Sequence, residues 1–512
     1  MLPIQMLYRG LRSNPLGLAL VDGHLRMTYQ ELARRVEAVA ACLQERLPTP
    51  QARIGVCAHN NWQHLLAILG IYASGHTWVP LNPRTARGEI QGLTAAAELA
   101  LVITDESCLP LFSEDTCPRV IADGCIDGDT IESICDRYAG ERPRDATHLS
   151  DGIAAIKFTG GTTGTPKGVL QPYRAILSCI ASMLTIFRFA HDERCLSVAP
   201  LTHGASTLIL PILACGGCNV LLDGTKAKAA KIAEVMNEEG ITVSFMPPTL
   251  ICSLLDHAQA TDSRFAQLRN LMYGAAPMAV RRIKQVQAHL GPCLGGIYGQ
   301  TEAPMMISAI SPAELADPLN HESVGRPCPY NEVQIMAPDG RILPAGESGE
   351  VVVRGDLVMR GYLRDPASTE RTIVDGWLHT GDVGLIDERG YLFLKDRLRD
   401  VIITGGFNVY PSDVEASLAH HPAVREVVVF ARPDEYWGER VEAAVVLAAG
   451  ATIASEELIT FAKTHVGSIR APKEIHILDR IPINAVGKIA RREVLKAVQQ
   501  RELNPNQQVD PV

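Results

Sequence analysis

Phe158-Thr-Gly-Gly-Thr-Thr-Gly-Thr-Pro-Lys-Gly-Val169 couples a buried-strand signal to a hydroxyl-rich loop that ends in a cation. Ile153, Ala154, Ala155, Ile156 and Phe158 read as a short buried strand. Gly168, Val169 and Leu170 return to apolar character, so strand signals frame the loop on both sides. Gly160, Gly161 and Gly164 remove side chains that would keep a backbone from wrapping an anion. Thr159, Thr162, Thr163 and Thr165 add hydroxyl donors, and Lys167 adds positive charge. This is chemistry for a polyphosphate. A Gly/Thr-rich stretch is more often a surface turn, but Pro166 stiffens the chain beside Lys167 and the framing strands fix the loop's ends. It is not a Walker A loop, which needs Gly before the Lys and Ser or Thr after it; here those places hold Pro166 and Gly168.

Outward from this loop, 512 residues suffice for more than one core. A composition of 46% hydrophobic and 21% charged residues is that of an ordinary globular protein, and a net charge of −9 argues against nucleic acid or an anionic membrane as the main partner. Residues 1–16 lack the pattern of a signal peptide, and the apolar run 65–73 is too short to span a bilayer, so a cytoplasmic location is expected. The Cys residues are spread singly, which is no disulfide framework; the one close pair, Cys215 and Cys218, sits between apolar runs and reads as buried thiols. No G-x-G, H-E-x-x-H or G-x-S-x-G occurs, which removes the dinucleotide, zinc-protease and serine-hydrolase fingerprints.

Before the loop, Thr28-Tyr-Gln-Glu31 is a capping box opening an amphipathic helix. Strand signals follow at 53–57, 77–80 and 99–104, with a helix at 62–72. After the loop, a helix is predicted at 174–187, strands at 196–200, 242–246, 271–274 and 296–298, and a helix at 229–239. Polar or glycine-rich segments end several of these strands: Thr202-His-Gly204, Gly274-Ala-Ala-Pro277 and Gly299-Gln-Thr-Glu302. Such clustering at the carboxyl ends of successive strands marks a ligand site on an open α/β sheet. From Gly325 the pattern shortens to a small β-rich unit with strands at 333–336, 349–354, 383–386 and 391–394. Beyond Asp396-Arg-Leu-Arg-Asp400 a new α+β segment begins, with helices at 411–419 and 455–466 and strands at 426–430 and 442–447. The fold class is therefore α/β: a large N-terminal domain (1–396), a hinge (397–400), a small mobile C-terminal domain (401–500) and a polar tail (501–512) expected to be disordered.

The loop resembles the phosphate-binding signature of the adenylate-forming superfamily, which includes acyl-CoA and aryl-CoA synthetases, luciferases and peptide-synthetase adenylation domains. Gly160 stands where that signature usually has Ser. Three further stretches resemble that superfamily's motifs in the same order: Tyr298-Gly-Gln-Thr-Glu302, Trp377-Leu-His-Thr-Gly-Asp382 and Pro482-Ile-Asn-Ala-Val-Gly-Lys-Ile489. The resemblance implies that Thr159, Gly160, Thr162, Thr163, Gly164 and Lys167 hold the phosphates of ATP. It places Gly274, Ala275, Ala276, Tyr298 and Gly299 around the adenine and Thr301 at the α-phosphate. Glu302 would be the Mg2+ ligand, Asp382 would accept from both ribose hydroxyls, and Arg397 would lie on the ribose and phosphate side. Lys488 is carried over as the catalytic lysine, because an aimed ammonium stabilises charge that builds up as a carboxylate attacks the α-phosphate. His203, Gly204, Ser206, Thr207, Gly274, Ala303 and Met306 would form the acyl pocket, with His203 also counted as catalytic. Arg84, Gly405, Gly406, Trp437, Arg470 and Lys473 would border CoA, and Arg399 would be the hinge residue.

The activity this resemblance implies is an AMP-forming carboxylic acid:CoA ligase using ATP, Mg2+ and CoA, acting as a monomer or homodimer. The acid is expected to be monocarboxylic with an apolar body, aromatic or medium-chain, because the pocket segments carry small residues and no Lys, Arg or Asp. A buried unpaired charge there would cost several kcal/mol. Two alternatives remain: an enzyme loading an acyl group onto a carrier protein in trans, and a nucleotide-binding protein whose catalysis has decayed. The second rests on Gly160 alone, and one missing hydroxyl costs about 1 kcal/mol.

Overall fold

The computed structural model describes residues 1–503 apart from 114–118, 122–128, 147, 148, 150, 160–165, 225, 226, 405, 406, 435 and 483–490, and for 119–121, 399, 408, 492, 502 and 503 the backbone alone. The chain divides into two compact units. The first comprises Met1–Gln334, Val352–Thr380 and Asp387–Leu392; the second comprises Ile335–Val351, Gly381–Ile386 and Phe393–Val512.

Two sheets organise the first unit. One, nine-stranded among the described residues, runs Arg326–Pro327, Ala303–Ile310, Leu294–Gln300, Asn270–Tyr273, Val243–Met246, Arg194–Ser197, Cys218–Leu221, Leu18–Asp22, Leu25–Thr28. Its middle pairings are parallel and its margins antiparallel. The other, seven-stranded, runs Gly361–Tyr362, Lys167–Pro172, Ile153–Thr159, Thr77–Pro80, Arg53–Cys57, Leu101–Thr104, Arg119–Ile121. Strands such as Leu101–Thr104 are buried at every position, as parallel strands covered on both faces must be.

The covering helices form where the sequence signals them. Thr28 Oγ1 accepts from Glu31 N, and the Glu31 carboxylate accepts from Thr28 N at 2.8 Å, closing the capping box on Tyr29–Arg46. Asn61 caps Trp62–Ser74, which ends at Gly75 with φ 76°, a conformation glycine adopts without penalty. That helix is the apolar run 65–73, buried rather than spanning, and no helix among the described residues is long and apolar enough to cross a membrane. Cys218 is buried and Cys215 half-buried, so the thiol reading of this pair holds. The strand expected at 196–200 runs over Arg194–Ser197 instead, where its backbone pairs in parallel register with Cys218–Leu221.

In the second unit, the strands Val424–Asp434 and Gly438–Leu447 form a long antiparallel pair whose alternate residues face two cores. Val429, Val441, Ala443 and Val445 pack against Val414 and Leu418 of the helix Pro411–Ala419 and Leu458 and Ala462 of Ser455–Arg470. Val428, Phe430, Ala444 and Val446 pack against Val494 and Val498 of Arg491–Leu503. This last helix was not expected, and it extends into the stretch read as a disordered tail; residues 504–512 lie outside the described part. Gly467, at φ 80°, kinks Ser455–Arg470 where the sequence reading had already ended that helix.

Candidate active site

The strands Ile153–Thr159 and Lys167–Pro172 pair antiparallel with Thr159 opposite Lys167, so the glycine- and threonine-rich loop is the connection of a hairpin. Gly160, Thr162, Thr163 and Gly164 lie outside the described residues. At the hairpin's mouth Lys167 Nζ donates to Ser368 Oγ at 2.8 Å and sits 5.0 Å from the centroid of the Tyr362 ring. Arg371 Nη2 donates to the same Ser368 oxygen at 2.9 Å. Tyr362 reaches this place because Gly361–Tyr362 pairs antiparallel with Leu170 and Val169, extending the sheet by one short strand.

The Tyr362 hydroxyl donates to Glu302 Oε1 at 2.8 Å. Burial first, and then the Glu302 charge, hold the phenol well above its ordinary pKa, so it stays a donor. The main chain beside Glu302 is fixed as well: Gln171 Nε2 donates to Thr301 O and Met359 N to Glu302 O, both at 2.8 Å. Among the described residues neither Lys167 nor Glu302 makes an ion pair. The lysine ammonium is therefore seated on an aromatic face and a hydroxyl, both neutral, while the Asp365 carboxylate, which feels its charge, makes no ion pair with it; the charge is left available to phosphate. The carboxylate is held by a neutral donor at one oxygen, which leaves a hard oxygen ligand that fits Mg2+.

Tyr298 and Gly299 lie at the end of the strand Leu294–Gln300 and Thr301 follows it, while Gly274, Ala275 and Ala276 follow the parallel neighbour Asn270–Tyr273, so both segments stand at the same sheet end. Tyr298 is 9% exposed. A Cβ on Gly274 would lie 2.9 Å from Ile297 Cγ1 and 3.3 Å from Phe245 Cε2; one on Gly204 would lie 2.8 Å from Phe245 Cε1 and 3.2 Å from Met305 Cε. These two glycines are thus packed against apolar side chains with no room for more. Ala275 and Met305 both adopt positive φ, 68° and 61°, conformations that cost L-residues energy and cluster at functional sites. His203 is exposed, with Nδ1 2.9 Å from Thr202 Oγ1, and Ser206 Oγ donates to His203 O at 2.9 Å. Thr207 N bonds Gly204 O, while Ala303 and Met306 are fully buried. The cation Arg174 is engaged outside these segments, donating to Asp356 O at 2.7 Å.

In the second unit Arg397 Nε lies 2.7 Å from Asp382 Oδ1, so the two residues read as ribose contacts come together, with Asp382 6% exposed. The neighbouring Gly381 N donates to Glu350 Oε1 at 2.9 Å. A cleft of about 330 Å³ in the same unit is lined by Trp437, Lys463, Ile469 and Lys473, among others. Lys473 Nζ stands 5.1 Å from the Trp437 ring centroid and donates to Ser468 O at 2.7 Å. Burial, and then the neighbouring Lys463, depress its pKa. Arg470 is not on this lining; its Nε donates to Val466 O. In the first unit Arg84 is exposed, its N–H donating to Asn82 Oδ1. Gly405, Gly406 and Lys488, and the side chain of Arg399, lie outside the described residues.

Sequence reasoning did not find Tyr362, Ser368, Phe245 or Gln171. Tyr362 and Ser368 lie about 200 positions from Lys167 and carry no local pattern; only the pairing of Gly361–Tyr362 with the hairpin joins them to it.

The AMP-binding enzyme model matches residues 9–363, and the AMP-binding enzyme C-terminal domain model residues 413–488. A medium/long-chain-fatty-acid–CoA ligase of Mycobacterium tuberculosis is 30% identical over 495 residues, covering 92% of this chain and 86% of its own. A feruloyl-CoA synthase of Amycolatopsis is 31% identical over 489 residues, covering 95% and 97%. Among solved structures, an amide bond synthetase from Marinactinospora thermotolerans superposes with a TM-score of 0.87 at 31% identity, covering 97% of this chain and 99% of the other.

Proposed function

Because the chain belongs to the AMP-binding enzyme family, we propose that it is an ATP-dependent carboxylic acid:CoA ligase acting on a monocarboxylic acid with an apolar body. In the first step the substrate carboxylate attacks the α-phosphorus of ATP, the bond to the pyrophosphate oxygen breaks, and an acyl-adenylate forms. In the second, the CoA thiol attacks the acyl carbonyl, loses its proton, and AMP leaves. Two easier steps replace one hard condensation.

The observation that carries this reading is the cluster Lys167, Tyr362 and Glu302, which sets a cation and an anion near one another without letting them cancel. Lys167 and the loop 160–165 hold the polyphosphate, and Thr301 meets the α-phosphate. Glu302 holds Mg2+, which when bound neutralises phosphate charge. Tyr298 and Gly274–Ala276 frame the adenine, Asp382 takes the ribose hydroxyls with Arg397 beside it, and Lys488 supplies the ammonium at the reacting phosphate. A pivot at residues 397–400, Arg399 included, carries the C-terminal domain between the two steps. His203, Gly204, Ser206, Thr207, Ala303 and Met306 belong to the acyl site, where Phe245 and Met305 supply apolar walls. The engagement of Arg174 elsewhere supports an uncharged tail, each buried methylene of which contributes about 0.8 kcal/mol. The Trp437 and Lys473 cleft suits the nucleotide end of CoA, with an aromatic face for a base and cations for phosphate. Gly405 and Gly406 would line the pantetheine path, with Arg84 and Arg470 as outer contacts.

A second reading, transfer of the acyl group to an amine, is favoured by the likeness to the amide bond synthetase. Pyrophosphate release from ATP is to be measured over a panel of carboxylic acids, with CoA, an acyl carrier protein or an amine as acceptor. Release with octanoate-like or benzoate-like acids and a thioester product with CoA are expected. Preference for a dicarboxylate or an amino acid would overturn the substrate, and turnover only with a carrier or an amine would overturn the acceptor.

A further inference from the structure

We propose that Tyr362 is a positioning residue that sets Lys167 and Glu302 as a pair, its hydroxyl aiming the carboxylate and its ring face seating the ammonium. The inference rests on the reading above, in which these two side chains meet Mg2+ and polyphosphate. Lys167 and Glu302 come from different sheets of the first unit, a hairpin strand and the segment following Leu294–Gln300. Neither sheet alone fixes both, and Tyr362 touches both at once: 2.8 Å from its oxygen to Glu302 Oε1 and 5.0 Å from its ring centroid to Lys167 Nζ.

The chemistry of a phenol suits the task. A carboxylate in that place would neutralise the lysine, and a lysine or arginine would neutralise the carboxylate; either would compete with the ligand. A neutral O–H holds Glu302 Oε1 while leaving the net negative charge, and a π-face holds an ammonium while leaving its N–H donors largely uncommitted. Tyr362 is itself anchored independently of both partners: its N–H donates to Thr369 Oγ1 at 2.9 Å, and Thr369 Oγ1 donates in turn to Asp365 O at 2.9 Å. That anchor is the N-terminal turn of Pro366–Thr372, the helix that also brings Ser368 to Lys167.

Two substitutions separate the two contacts. Tyr362→Phe keeps the ring under Lys167 and removes the hydroxyl from Glu302; Tyr362→Leu removes both. The readout is equilibrium binding of a nonhydrolysable ATP analogue by calorimetry, without turnover, titrated with Mg2+ and repeated in EDTA, with the melting temperature of each protein recorded. For Tyr362→Phe the Mg2+ concentration for half-maximal binding should rise about tenfold or more, the worth of one hydrogen bond to a charged group, with metal-free binding unchanged. For Tyr362→Leu the same shift should be joined by about a threefold or greater loss of metal-free binding. A Tyr362→Phe protein that titrates like the wild type overturns the inference. So does an equal loss in both media for both variants in step with a fall in melting temperature, which marks a merely structural tyrosine. If instead the wild type binds the analogue with no dependence on Mg2+, the reading of the site fails, a result separate from any difference among the variants.

Discussion

Lys167 and Arg491 are both cations held in polar clusters, one in each unit, and they are held in opposite ways. Lys167 has a hydroxyl and an aromatic face. Arg491 has three carboxylates: Glu415 at 2.8 Å, Asp400 at 3.4 Å and Asp396 at 3.9 Å, and its Nε donates to Val429 O at 3.1 Å. Burial raises the pKa of both Asp396 and Glu415, and the Arg491 charge pulls each back down. The arginine's charge is consumed by the fold, whereas the lysine's is left for a ligand. A cation with neutral partners marks a site, and a cation surrounded by carboxylates marks a structural joint.

The largest expected effect lies on the first side of this contrast. Lys167→Met should lower pyrophosphate release by about 10²-fold, the scale of losing one charged group aimed at a phosphoryl centre, with little change in melting temperature. A variant that melts much earlier and loses activity only in proportion would erase the distinction. Next comes Arg491→Met, which leaves buried carboxylates without their counter-charge. It should destabilise the second unit by about 2–3 kcal/mol, less than a fully buried pair because Arg491 keeps 29% of its side chain exposed. Denaturant unfolding followed at Trp437 measures this, and pyrophosphate release below the transition should stay near the wild-type rate.

A pH series sharpens the same point. A carboxyl whose pKa is raised on folding binds its proton more tightly in the native state, so ionising it costs stability as pH rises from its unfolded pKa toward its folded one. Removing Arg491 raises the folded pKa values of Asp396 and Glu415 further, which deepens that cost. The deficit of Arg491→Met relative to wild type should therefore be small at about pH 3, below the ordinary carboxylate range, where both carboxyls are largely protonated folded and unfolded, and grow toward pH 7. A deficit that is constant across this window would show that Arg491 acts through packing alone.

The units differ also in how much of them can be read from the chain. In the first, local signals carry most of the elements: the Thr28 to Glu31 capping box, the Asn61 cap and the all-apolar strands carry their structure in adjacent residues, and the glycine-rich loop announces its chemistry. Tyr362 was not legible because it acts through pairing with strands some 190 positions earlier. In the second unit the helix Arg491–Leu503 escaped notice because its buried face is little more than Val494 and Val498 in a charged stretch. Arg491 escaped for a related reason: its three partners are scattered over residues 396–415, and no spacing in sequence links them to it.

Lys473 tests whether the contrast extends beyond the two residues that defined it. It repeats the Lys167 arrangement in the second unit, 5.1 Å from the Trp437 ring centroid and bonded to the neutral carbonyls of Ser468 and Ile469, with no ion pair among the described residues. By the rule drawn from Lys167 its charge is available to a ligand, and the cleft it lines contains a second cation, Lys463. Its surroundings are more open than those of Lys167, so solvent screens it more and the effect is smaller. Lys473→Met should raise the KM for CoA about three- to fivefold, worth about 0.7–1 kcal/mol, with a smaller change in the KM for ATP. Pantetheine lacks every phosphate of CoA, so variant and wild type should handle it nearly alike, and raising the salt concentration should shrink the difference between them with CoA. An equal rise in KM for CoA and pantetheine would mean that the lysine shapes the cleft without using its charge, and a cation with neutral partners would then no longer suffice to mark a site.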